Sequence, residues 1–175
     1  LLGQQNACRR ANRIREYPEL HADAVGIGRH QTEAHAQTHN VFQDVFGAKG
    51  ARAILFQVGR MQAKWGLEEN ADVANAAKNA MAEMSQIDRA KVILTYTADT
   101  ISRQLNTRTW VEQEGDVLYY KDEAATHCFG RTSDTPVCHT ATGFVAGMVA
   151  WAVDNAEWKV EETECMAMGH PCCTF

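Results

Sequence analysis

From Gln31 to Leu105 the apolar residues recur at the three-to-four-residue spacing of helices. From Thr107 onward they alternate, except for one stretch near the C terminus that is apolar almost throughout. Val41, Phe42, Val45 and Phe46 close a helix predicted over residues 31–46, capped by Thr32 and ended by Gly47. Ala53, Leu55, Phe56, Gly59, Met61 and Trp65 give a second over 51–65, in which Gly59 is expected at a close helix contact. An alanine-rich third, 68–84, carries Val73, Ala76, Ala77, Ala80, Met81 and Met84 on one face. A fourth covers 87–105, with Val92, Ile93, Tyr96 and Ile101 at helical spacing. Its β-branched residues (Val92, Ile93, Thr95, Thr97, Thr100) would also suit a strand.

The alternation of 107–113 and 116–121 around Glu114-Gly115 is a hairpin signature. Residues 122–129 are less regular and hold Cys128, expected as an ordinary buried thiol, with an approach to a neighbouring metal as the alternative. Asp134 or Thr135 caps the next helix, which has Pro136 in its first turn and runs to about Asp154. Gly143 and Gly147 lie four apart, so a neighbour or ligand can approach the backbone there. A second hairpin pairs 157–163 with 172–175. At the other end, Gln4–Arg15 reads as a polar, basic helical arm, Tyr17-Pro18 breaks it, and His21–His30 is a glycine-containing loop. The order of helices, hairpin, helix, hairpin predicts an α+β domain over 31–175, with helices packed on one side of a small antiparallel sheet, after an arm and loop over 1–30.

The 175 residues suffice for one domain with a proper core. Seventeen Lys and Arg against 22 Asp and Glu give a net charge of −5, which argues against a nucleic-acid surface. Ala141–Val153 is the longest nearly apolar run and is too short to cross a bilayer. No secretory signal or lipidation motif is read, so the six cysteines are expected as thiols and metal ligands in a reducing, cytoplasmic setting. The chain opens on Leu1 and closes on Phe175 inside an expected strand, which leaves room for flanking residues. No GxGxxG fingerprint, P-loop or nucleophile elbow is present, so the expectation leans away from an enzyme.

Candidate chemistry concentrates in residues 133–175, which hold four of the six cysteines. Cys138 follows Pro136 at a helix start. Glu162 and Cys165 are three apart, and Cys172 and Cys173 follow a turn through Gly169, His170 and Pro171. Zinc takes four ligands in a tetrahedron, and Cys138, Glu162, Cys165 and one of the final pair would supply them. In the run 157–162 alternate side chains share a face, so Trp158, Val160 and Glu162 point together towards the core. A carboxylate there is costly unless paired or metal-bound. A strand ending at Val160 would instead leave Glu162 in solvent, and closely spaced cysteines also serve as buried thiols or redox pairs. His35 and His39 share a helix face near His30 and Glu33, but without a third fixed ligand they read as a hydrated polar face.

Taken together, Pro136-Val137-Cys138, Gly143-Phe144 with Gly147, Glu162-x-x-Cys165, Gly169-x-Pro171 and Cys173-Thr174-Phe175 resemble the end of the 4-vinyl reductase domain. The resemblance is close over the last quarter of the chain and covers the helical half only in general layout. It implies a fold like that of subunits of vesicle-tethering (TRAPP) complexes, pairing as a homodimer, and a structural zinc held by Cys138, Glu162, Cys165 and Cys173, with Cys172 extra. In the phenol-sensing input domains of bacterial transcription activators that share this domain, an aromatic pocket lies between sheet and helices. By that likeness the candidates here are Phe56, Trp110, Tyr119, His139, Phe144, Trp151 and Trp158. Phe144 and Val160 stand where the sensors carry tyrosines, and His139 where they carry Trp, so a phenol is not the obvious ligand. The resemblance implies capture of a small hydrophobic or aromatic molecule, as sensor or carrier. The alternatives are a bacteriochlorophyll-synthesis accessory or vinyl reductase acting on a tetrapyrrole, and a tethering-like scaffold without a ligand.

Overall fold

A computed structural model describes residues 29–175 apart from 125, 129, 155 and 156, with side chains from residue 37 onward. The expected N-terminal arm and loop, with Cys8, fall outside these residues except for Arg29 and His30, which are helical rather than loop; the side chains of His30, Glu33 and His35 also fall outside. The elements run α1 (Arg29–Glu69), α2 (Ala71–Ala80), α3 (Gln86–Leu105), β1 (Thr109–Glu114), β2 (Val117–Asp122), α4 (His139–Val153), a 3-10 turn (Met166–Met168) and β3 (Cys173–Thr174).

The two helices expected over 31–46 and 51–65 run as one element, broken at Gly47, whose φ of 67° and ψ of 167° leave helical geometry. A left-handed φ favours glycine, so this residue ends one helical path and starts the next. The alanine-rich helix stops at Ala80, and of its expected apolar stripe only Met81, in its C-cap, is buried; Val73 and Met84 are exposed. In α3, Ser85 caps the start by accepting from the Asp88 N–H at 3.2 Å, and Asn106 closes the end in the left-handed region. Its β-branched residues do not break it. Thr97 and Thr100 turn their hydroxyls back onto the carbonyls of Ile93 and Tyr96, at 2.8 and 2.9 Å. The buried face is Ala90, Ile93, Leu94, Thr97 and Ala98, rotated from the expected stripe, so Val92 and Tyr96 lie exposed.

Helix α4 is apolar nearly all round and is accordingly packed on both sides, against α1 and α3. Its approach to α1 is set by glycines. A Cβ on Gly59 would overlap the Thr140 carbonyl, one on Gly143 would overlap the Phe56 carbonyl, and one on Gly147 would come within 2.7 Å of the Ala63 Cβ. The neighbour expected at these glycines is therefore a helix, met backbone to backbone.

The predicted hairpin forms with Glu114 opposite Val117 and Gly115 at φ 59°. Val111, Leu118 and Tyr120 turn to the core, and Trp110, Glu112 and Lys121 to the other face. The second hairpin does not form as expected. β3 joins the first sheet, pairing antiparallel with β2 at Lys121 and Asp122, so the order is β1-β2-β3. Residues 157–163 carry no strand; the expected pairing is reduced to an isolated bridge between Glu164 and Thr174 and a 2.8 Å bond from the Thr163 N–H to the Thr174 carbonyl. The terminal residues are drawn to β2 because its edge was unpaired, and the exchange of main-chain bonds between Tyr120 and Phe175, at 2.8 and 2.9 Å, extends that ladder. α3 lies against β1 and β2, which makes the domain a helical layer on a small antiparallel sheet. None of the described helices is long and apolar enough to cross a membrane.

Candidate metal centre and cavities

Four segments converge at one point beneath the sheet edge. Cys128 comes from the irregular loop after β2, Cys138 from the N-cap of α4, Cys165 from the residue before the 3-10 turn, and Cys173 from β3. Their sulfurs all lie within 4.8 Å of one another, and all four residues are buried. Cys128 and Cys173 are 3.5 Å apart, Cys138 and Cys173 3.6 Å, Cys138 and Cys165 3.9 Å. Two sulfurs bound at about 2.3 Å to one tetrahedral ion would be about 3.8 Å apart, close to these three separations. The cluster can hold a metal ion, and four thiolates are soft donors of the kind that zinc, copper(I) and iron–sulfur centres share.

As thiols, Cys138, Cys165 and Cys173 do not lose protons alike. Cys165 is held far below the usual thiol range because the neighbouring S–H groups of Cys128, Cys138 and Cys173 can donate to its sulfur. The same contacts, led by Cys128, push Cys138 and Cys173 well above it.

Of the four expected ligands, Cys138, Cys165 and Cys173 meet in this cluster. Glu162 stands beside it: its Oε2 accepts from the Cys138 main-chain N–H at 2.7 Å, and its Oε1 is buried without a hydrogen-bond partner. Burial, followed by the Cys165 sulfur, pushes its carboxyl up to about 8. The inward parity expected from Trp158 and Val160 persists without a strand, since exposed and half-buried residues alternate from Glu157 to Glu164. Cys128 is the member of the cluster that spacing did not place there. Its approach depends on the irregular turn at 126–128, for which the sequence has no periodic signal. Cys172 turns away, with its sulfur 3.7 Å from the Thr174 hydroxyl. His39 is 3 % exposed, with Nδ1 3.3 Å from the Arg131 guanidinium, so it belongs to a packed contact rather than a hydrated face.

The aromatic candidates divide among three cavities. Tyr119 and Trp158 line a cavity of about 270 Å³ walled by Leu94, Leu118, Val145, Val149, Val160 and Phe175, with Asp116, Lys159, Glu161 and Thr163 also contributing. Phe56 and His139 line an open cavity of about 1140 Å³, to which Lys49, Arg52, Arg131 and Glu162 also contribute. Phe144 and Trp151 line an apolar groove of about 500 Å³ between α1, α2 and α3. Trp110 stands on the outer sheet face under the Arg108 guanidinium, 4.1 Å from its ring centre, and donates to Glu112 at 2.8 Å. Burial, then the charges of Arg52 and Arg131, lower His139 to about 4, so it is a neutral imidazole at pH 7.

Residues 118–175 match the family model of the 4-vinyl reductase domain. The match spans Cys128, Cys138, Glu162, Cys165 and Cys173, and also β2, α4 and β3, while α1 to α3 lie outside it. No curated protein matches the chain, and no solved structure does.

Proposed function

We propose, taking residues 118–175 as a 4-vinyl reductase domain, that this protein is a zinc-stabilised domain that captures a small hydrophobic or aromatic molecule, as a sensor or carrier. The observation that carries the reading is the 270 Å³ cavity between sheet and helices, with its largely apolar wall. Its wall ends at Phe175, two residues from Cys173, so the pocket and the cluster share one short segment. An apolar cavity of about 150 Å³ already takes up benzene, so this one has room for a substituted single ring. Zinc held by Cys138, Cys165, Cys173 and a fourth donor would fasten α4, the 165–173 turn and β3 together. Four protein ligands leave no open position, so its chemistry would be structural.

A homodimer is part of this reading, supported by the exposed apolar residues Val41, Val45 and Phe46 on the first half of α1. So is a reducing, cytoplasmic setting, in which thiols persist. The test is a melting curve with toluene or phenol added. Toluene should raise the melting temperature of the native chain, and Val160→Phe, which narrows the cavity, should abolish the rise while metal content stays the same. No response to either compound would remove the reading.

The 1140 Å³ cavity favours a second reading, a bacteriochlorophyll-synthesis accessory or reductase handling a tetrapyrrole. Lys49, Arg52 and Arg131 would face its carboxylates and His139 its centre. Pigment absorbance in the purified protein would support that reading, and a protein that stays colourless after incubation with a porphyrin would contradict it.

A further inference from the structure

We infer that Cys128 is the fourth metal ligand, completing a four-thiolate site, and that Glu162 acts one layer out by holding the Cys138 main-chain N–H. The inference rests on the metal reading above and concerns which side chains touch the ion.

The distances carry it. A closed tetrahedral site has four places. Cys128 Sγ is 3.5 Å from Cys173 Sγ and within 4.8 Å of the other two sulfurs, and among the described residues no carboxylate oxygen belongs to that mutually close set. Cys128 is 2 % exposed, as enclosed as Cys138. Were it a bystander, its S–H would be packed against three metal thiolates. Glu162 already has a role for one oxygen, the 2.7 Å bond from the Cys138 N–H that fixes where this ligand sits. Its other oxygen, Oε1, is buried and unpartnered, and is the atom a three-cysteine site with Glu162 would use. The two arrangements are therefore distinct and countable. Binding a divalent ion to the four cysteines releases the thiol protons and leaves a site of charge −2.

Ligation by Cys128 has a structural consequence that ligation by Glu162 lacks. Cys128 and Cys138 flank residues 130–137, and most of these residues wall the 1140 Å³ cavity. With both ends on the metal, occupancy of the ion sets the shape of that wall.

Zinc-edge X-ray absorption on the unaltered protein counts the ligands directly. Four sulfurs at about 2.3 Å with no oxygen are expected; three sulfurs and one oxygen would overturn the inference. Cobalt exchanged into the site gives a second count, since thiolate-to-cobalt charge transfer grows with the number of thiolates. Glu162→Gln should keep one cobalt per chain at full intensity, and Cys128→Ser should fall to about three quarters of it and bind at least tenfold more weakly. Full intensity in Cys128→Ser with cobalt lost from Glu162→Gln would overturn the inference while leaving the metal reading intact. A native chain that takes up neither zinc nor cobalt would overturn both.

Discussion

The Cys138 main-chain N–H donates to Glu162 Oε2 at 2.7 Å, tying the N-cap of α4 to the segment that leads into Cys165. The residues lie 24 apart in sequence, and the bond aligns two of the four segments that reach the cysteine cluster. Glu162→Ala leaves a buried N–H without an acceptor and should cost about 1–3 kcal/mol. Glu162→Gln retains a carbonyl acceptor and should cost less. Urea unfolding of both variants checks the order, and an alanine variant as stable as the native chain would show that the bond contributes nothing.

At the α1–α4 crossing, Gly143→Ala should destabilise by about 3 kcal/mol or more, because the new Cβ meets the Phe56 main chain, which cannot rotate away. Gly66→Ala, also on α1 but with nothing within 4 Å of the new Cβ, should stabilise by about 0.5–1 kcal/mol. Thermal melts of the pair test the crossing. Similar effects from the two would mean that the helices do not meet as described.

Much of this was legible in the sequence. Gly59, Gly143 and the apolar run of α4 announced a close helix contact, and Glu114-Gly115 announced the hairpin. The spacing of Cys138, Cys165 and the pair Cys172-Cys173 pointed to a cluster, and the resemblance pointed to Cys173 within the pair. Two features were not legible, for physical reasons. The partner of the last strand is decided by which sheet edge is free, and local alternation in 157–163 says nothing about that. Cys128 enters the cluster through a loop without periodicity, so its approach is a product of tertiary packing. α2 buries no residue of its own, and the buried face of α3 is rotated from the periodicity, so Val73, Val92 and Tyr96 lie exposed.

On the outer sheet face, the Lys121 ammonium, then the Trp110 N–H, hold the Glu112 carboxyl below its ordinary 4.5. A carboxylate with a lowered folded value contributes stability above the ordinary value and loses it as pH falls through the lowered one. The pair is partly exposed, so its contribution should stay under about 1 kcal/mol and shrink in salt. Glu112→Gln should remove this part of the pH dependence, read as urea midpoints on either side of pH 4.5; an unchanged profile would mean that the pair is silent.

Metal removal should act on residues 118–175 first, the segment that carries the cluster. A chelator should lower the melting temperature sharply, since a structural ion's binding energy is folding energy. Cys165→Ser should do the same without chelator. Cys172→Ser, whose sulfur faces Thr174, should leave metal content unchanged. Loss of metal in Cys172→Ser would show that the wrong member of the pair has been assigned.

The most direct measurement is the metal content of the purified native chain by native mass spectrometry, read before and after acid denaturation. One zinc per chain, released on denaturation, is the expected result for a cluster of Cys128, Cys138, Cys165 and Cys173 built around an ion. A folded chain without metal, with all four thiols free to react once unfolded, would contradict the account.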